Sequence, residues 1–130
     1  MKEKLDLVIK NAYTPHSNFG VACIIKMKDD QEFVGVNVEN SSFKSGLCAE
    51  QVAIASAVAE GYSKDDFKEL HVMGSGNDYA YPCFLCRQLL VEFFKPDDKI
   101  VCYKQEGEAK IFDVAQLCPH AFSYEEVKND

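Results

Sequence analysis

The sequence predicts an α/β protein in which helices pack, in two or three layers, on a mixed sheet of five strands. Segments with helical spacing alternate with short β-branched runs in the order α-β-β-α-β-α-β-β-α, the pattern of helices laid on a sheet. Two of these helices, over residues 49–61 and 83–94, are apolar nearly all round and so are expected to be buried. The 130 residues, 47% hydrophobic and 27% charged, suffice for one core, and residues 1–130 are read as a single domain.

Each element follows from local chemistry. Residues 3–13 place Leu5, Val8, Ile9 and Ala12 at helical spacing, and the pattern stops before Pro15. Thr14 to Asn18 reads as a loop. Phe19 to Met27 and Phe33 to Val38 read as a hairpin about Lys28-Asp29-Asp30-Gln31. After a small-residue loop, the alanine-rich run from Ala49 predicts a helix stopped by Gly61. Phe67 to Met73 reads as a third strand. The helix that starts beside Pro82 is closed by Pro96. Lys99 to Tyr103 and Ala109 to Phe112 supply the remaining strands, and a short helix runs from Asp113 to Leu117.

Charge and cysteine content narrow the function classes. The net charge is −7, and among the 14 cationic side chains Arg87 is the one arginine. Binding a phosphate backbone relies on clustered Lys and Arg, so a nucleic-acid partner is not expected and a small uncharged ligand is. No apolar run reaches the ~18–20 residues of a membrane span, and the charged start Met1-Lys2-Glu3-Lys4 does not read as a signal peptide. A cytoplasmic location, where thiols stay reduced, is the expectation. Of the six cysteines, Cys23, Cys102 and Cys118 sit singly in apolar surroundings as buried free thiols. A disulfide framework is the alternative for the whole set, disfavoured because the core needs no staples.

Cys48, Cys83 and Cys86 are different. The last two are three residues apart on one helix, and Cys48 stands 35 residues upstream, immediately before the other apolar helix. If the two helix starts lie together, all three thiols converge, and helix N-termini favour the thiolates that zinc needs. Three ligands leave a fourth tetrahedral position open, the arrangement of a catalytic zinc site; a closed structural site is the alternative. Glu50 separates the two. A structural site has no use for a buried carboxylate two residues after a ligand, whereas a hydrolytic one needs a group beside metal-bound water to carry its proton. In the second strand, Asn37 and Glu39 lie two apart and share a face. They are either the polar end of a strand or a fork that grips a ligand hydroxyl, and spacing alone favours the first.

These motifs, Gly35-Val36-Asn37-Val38-Glu39-Asn40, Cys48-Ala49-Glu50 and Pro82-Cys83-Phe84-Leu85-Cys86-Arg87-Gln88, stand between Tyr13-Thr14-Pro15-His16-Ser17-Asn18-Phe19 and Cys118-Pro119-His120-Ala121-Phe122. Together and in this order the chain resembles the small, homotetrameric, zinc-dependent class of the cytidine deaminase family. The resemblance implies a three-layer α/β/α sandwich with a mixed five-stranded sheet and one Zn²⁺ per subunit held by Cys48, Cys83 and Cys86. It implies hydrolytic deamination of cytidine and deoxycytidine in pyrimidine salvage: zinc hydroxide attacks C4, and Glu50 moves protons to N3 and to the leaving amino group. It assigns the ribose 3′-hydroxyl to Asn37 and Glu39, reversing the reading from spacing. Phe19 is implied to stack near the base, the Ala49 backbone to meet the pyrimidine edge, and Phe122 to enter a neighbouring subunit's site within a homotetramer.

The chain departs from the family pattern at several places. Gln51 stands where the three-thiolate class usually has arginine, leaving one excess negative charge to the helix N-termini and Arg87. The zinc-bound water is therefore expected to be less acidic than in relatives bearing that arginine. Phe84 replaces a glycine, His16 a tyrosine, and Phe43 stands where tyrosine is frequent; these positions bear on substrate preference. Rival substrates are other aminopyrimidine nucleosides, such as blasticidin S.

Overall fold

The computed structural model describes residues 1–123. Its frame is a five-stranded mixed sheet in the order β2-β1-β3-β4-β5. The strands are β1 (Val21–Met27), β2 (Glu32–Val36), β3 (Phe67–Gly74), β4 (Lys99–Tyr103) and β5 (Ala109–Asp113), and the helices are α1 (Lys2–Val8), α2 (Ala49–Ala59), α3 (Phe84–Phe93) and α4 (Val114–Leu117). β1 pairs antiparallel with both β2 and β3, β3 runs parallel to β4, and β5 returns antiparallel to β4.

Alternation along the strands divides the core in two. Cys23, Ile25, Leu70, Val72, Ile100 and Cys102 point to one face, where they pack with Ala53 and Ile54 of α2, Leu90 of α3, Phe94 just after it and Leu117 of α4. Ala22, Ile24, Met73, Val101 and Tyr103 point to the other, where Leu5 of α1 covers them. The predicted three-layer α/β/α sandwich with five strands is observed. Its α1 layer is thin, and Ile111 of β5 is left 65% exposed.

The topology explains why the cysteines meet. Because β2 and β3 both run antiparallel to β1, they run parallel to one another. α2 follows β2 and α3 follows β3, so both helices start at the same edge of the sheet, beyond the carboxyl ends of those strands. Ligand sites of open α/β sheets gather at that edge. Gly35 lets α2 lie close: a Cβ built on it would stand 2.2 Å from the Ala49 carbonyl oxygen and 2.6 Å from the Ala53 nitrogen.

Several boundaries differ from those expected. The first helix is α-helical only to Val8 and tightens into a 3₁₀ turn over Ile9–Asn11, a common way to end a helix. β1 begins at Val21 and β2 ends at Val36, so Asn37 and Glu39 lie beyond the strand. The backbone there stays extended nonetheless, with Val38 bridged to Tyr13 on one side and Leu47 on the other, and the two side chains keep their shared direction. α2 and α3 are not buried all round. Ala55 and Ala59 are exposed, Val58 is 44% exposed, and Phe84 and Leu85 of α3 are 75% and 58% exposed.

Candidate active site

Cys48 is the N-cap of α2 and Cys83 the N-cap of α3, both with extended backbone. Cys86 lies one turn into α3 and is fully buried. The three sulfurs lie within 4.8 Å of one another, and the Cys48 and Cys83 sulfurs are 3.9 Å apart. Thiolates sharing one tetrahedral zinc, with Zn–S bonds of about 2.3 Å, have sulfurs about 3.8 Å apart. The donor set and spacing fit that ion. Without a cation, burial pushes the Cys48 thiol up. It pushes Cys86 well up too, with the Glu50 charge adding to the effect, so metal binding must displace protons.

Glu50, in the first turn of α2, is 4% exposed. Burial raises its carboxyl above the ordinary range. Beneath it, Cys23 and Cys102 flank Val72 in register across the sheet. Burial, then the Glu50 charge, raises Cys23 well above its usual value and Cys102 to about 12. Both are buried neutral thiols, as expected; Cys118 is half-buried.

A cavity of about 560 Å³ runs outward from this centre, with Cys48, Ala49, Glu50 and Cys83 along one part of its wall, within the size range of small-molecule sites. Asn37 and Glu39 line it as well, together with His16, Ser17, Phe43 and Tyr81. Glu39 Oε1 accepts the His16 and Ser17 backbone N–H groups at 2.9 Å and 3.0 Å, and Oε2 accepts the Ser17 hydroxyl. The Ser17 hydroxyl and then these amides hold the Glu39 carboxyl below its usual pKa. Asn37 Oδ1 accepts the Val21 N–H at 2.8 Å, and its Nδ2 donates to the Phe19 carbonyl at 2.9 Å.

Two predicted residues stand apart from the rest. The Phe19 ring rests against Gly74 and Gly76 and is not among the lining residues. Phe122 is 60% exposed; its carbonyl accepts a bond from Gln88 Nε2 at 3.0 Å, and it does not reach this chain's own cavity.

The departures have visible roles. Gln51 Oε1 accepts the Cys48 N–H at 2.7 Å, closing a capping box at the start of α2. Arg87 donates from Nε to the Pro82 carbonyl at 2.7 Å and from Nη1 to the Leu117 carbonyl at 2.9 Å, and its guanidinium lies 4.5 Å from the centre of the Phe84 ring. His16 faces Phe43 edge-on with ring centres 6.0 Å apart. Sequence reasoning missed Ser17 and Tyr81 as lining residues. Tyr81 could have been found from its place next to Pro82-Cys83; Ser17 carries no such signal.

Three thiols able to share one ion, a buried carboxylate beside them and a cavity opening from both define a hydrolytic metal centre on an α/β sandwich. The model of the cytidine and deoxycytidylate deaminase zinc-binding region matches residues 1–104, and the chain belongs to that family. The cytidine deaminase of Mycoplasma genitalium is 42% identical over 120 residues, 92% of this chain and 91% of that protein. That of Halalkalibacterium halodurans is 32% identical over 120 residues, 92% of this chain and 89% of the relative. The crystal structure of cytidine deaminase from Burkholderia pseudomallei matches with a TM-score of 0.88 at 35% identity, covering 92% of this chain and 94% of that one.

Proposed function

We propose that this chain is a zinc-dependent cytidine deaminase, converting cytidine and deoxycytidine to uridine and deoxyuridine with release of ammonia. The observation that carries the reading is the Cys48–Cys83–Cys86 cluster with the buried Glu50 beside it, at a cavity wall also lined by Asn37 and Glu39.

Zinc held by Cys48, Cys83 and Cys86 would supply Lewis acidity toward water. Glu50 would take a proton from the attacking water and pass it to N3 of the cytosine ring; it would then take the water oxygen's remaining proton and pass it to the amino group, which leaves C4 as ammonia. The burial that raises its pKa suits a carboxyl that must alternately hold and release a proton. Asn37 and Glu39 bind the ribose 3′-hydroxyl, and the Ala49 backbone meets the pyrimidine edge. Among the lining residues, Glu39 and Glu50 are acidic and His16 is the one with a cationic form, so a phosphorylated nucleoside is a poor fit.

The enzyme acts as a single-domain chain assembled into a homotetramer. Supporting this are the exposed apolar side chains of α2 and α3, Val58, Phe84 and Leu85. In the assembly Phe122 enters a neighbour's cavity, and Phe19 stacks near the base. No helix among the described residues is long and apolar enough to cross a membrane, and a cytoplasmic location suits six unpaired cysteines.

The test offers the zinc-loaded protein cytidine, deoxycytidine, deoxycytidylate, cytosine, blasticidin S and a single-stranded oligonucleotide. Ammonia and the deaminated product are measured. Turnover of the two nucleosides is expected. Turnover of blasticidin S or the oligonucleotide alone would replace the reading, and turnover of none by fully metallated protein would end it.

A further inference from the structure

Glu39, assigned above to a sugar hydroxyl, has its carboxylate held by a segment more than twenty residues earlier in the chain. Oε1 accepts two backbone N–H groups, from His16 at 2.9 Å and Ser17 at 3.0 Å, which fill its two lone pairs. Oε2 accepts only the Ser17 hydroxyl and so keeps a lone pair for a ligand. Ser17 Oγ in turn accepts the Phe19 N–H at 3.0 Å. Asn37 grips the same segment from the other side, through the Phe19 carbonyl and the Val21 N–H. Both ribose-binding candidates and residues 16–21 thus form one network along the cavity.

We propose that Ser17 is a positioning residue for nucleoside binding: its hydroxyl fixes the Glu39 carboxylate so that Oε2 presents its remaining lone pair to a sugar hydroxyl. The inference rests on the reading of Asn37 and Glu39 as the sugar-binding end of the cavity. A carboxylate fixed before binding loses no rotamer freedom when the ligand arrives. Of the three donors to Glu39, the Ser17 hydroxyl is the one a side-chain substitution removes; the same substitution takes the acceptor from the Phe19 N–H, an effect that the sugar-free cytosine control reads. In Ser17→Ala the two amides still tether Oε1, so the loop stays closed while Oε2 loses its partner.

The experiment uses the zinc-loaded full chain, unsubstituted and as Ser17→Ala, Ser17→Thr, Glu39→Gln and the Ser17→Ala/Glu39→Gln double variant. Because charge-assisted hydrogen bonds are the strong ones, Ser17→Ala should raise KM for cytidine roughly tenfold while kcat stays within about twofold, a loss of uniform binding. Ser17→Thr, which keeps the hydroxyl, should recover most of the loss. Cytosine, which has no sugar, should be indifferent to Ser17→Ala, and the double variant should be no worse than Glu39→Gln. An unchanged KM in Ser17→Ala overturns the proposal, as does an equal rise on the Glu39→Gln background or with cytosine.

A second measurement needs no turnover. Carboxyl-carbon NMR of substrate-free protein follows the Glu39 titration, with His16, the titratable neighbour that also acts on it, present in both forms. Ser17→Ala should move that titration to higher pH, and no movement also overturns the proposal. If the unsubstituted enzyme fails to turn over cytidine, the functional reading falls while this titration still decides the link between Ser17 and Glu39.

Discussion

Gln51 shows how one side chain serves the site without touching a ligand. It accepts the backbone N–H of Cys48 at 2.7 Å, fixing the N-cap that carries one candidate zinc thiol. Gln51→Ala removes that acceptor and should destabilise the fold by about 1 kcal/mol, the usual effect of losing a helix cap, read as a lower midpoint of thermal unfolding. An unchanged midpoint would mean water replaces the amide fully. At this scale the meeting of the three cysteines beside Glu50 was legible in the sequence because the spacing is local: Cys83 and Cys86 are three residues apart, and Glu50 follows Cys48 by two. The partners of Glu39 were not legible. Ser17 meets it across 22 residues through a hydroxyl that many loops contain. The seat of Phe19 against Gly74 and Gly76 was hidden for the same reason, since it depends on a loop more than fifty residues away.

Among the elements, α2 depends most on a neighbour's lack of a side chain. It lies so close to β2 that a methyl group on Gly35 would overlap the backbone at Ala49 and Ala53. Backbone cannot swing aside as a side chain can, so Gly35→Ala must push the start of α2 outward and carry Cys48 and Glu50 with it. We expect a loss of roughly 3 kcal/mol, at the upper end for overpacking, together with weaker zinc retention in a chelator competition. Unchanged zinc retention would show that α2 moves without disturbing the cluster. The order of helices and strands was readable because the apolar period switches between helical and alternating along the chain. Their ends were less so: the 3₁₀ turn after Val8 keeps the apolar spacing of an α-helix, and the extended backbone through Val38 looks like a strand although β2 stops at Val36. The full burial expected of α2 and α3 failed because the sheet covers one side of each, leaving Val58, Phe84 and Leu85 exposed.

For the whole molecule, the two faces of the sheet have different chemistry. One carries the three-cysteine cluster and Glu50. The other holds His71, 7% exposed, with Nδ1 2.7 Å from the Tyr103 hydroxyl and Nε2 3.6 Å from a Glu69 oxygen. Burial lowers the His71 pKa, while the charges of Glu69 and Glu32 oppose the shift and the N-terminal amine adds to it. An unfolded chain takes up this proton near pH 6.5 and the folded one only at lower pH. Below about pH 6.5 the unfolded state therefore binds more protons, and stability falls with a slope of up to about 1.4 kcal/mol per pH unit from this group. Between pH 7.5 and 5.5 the unfolding midpoint should drop more in the unsubstituted chain than in His71→Gln; parallel curves would assign the acid loss to other groups.

Zinc held by the three thiols, with Glu50 moving the protons of a deamination, is the reading on which the proposed function depends. It is tested most directly by comparing the unsubstituted chain with Glu50→Gln, measuring zinc per chain and uridine formed from cytidine in the same samples. We expect one zinc in both proteins, uridine from the first, and a rate lower by about a thousandfold or more in the second, within the range that positioned acid–base groups contribute. Loss of zinc from Glu50→Gln, or undiminished uridine formation by it, would contradict that reading.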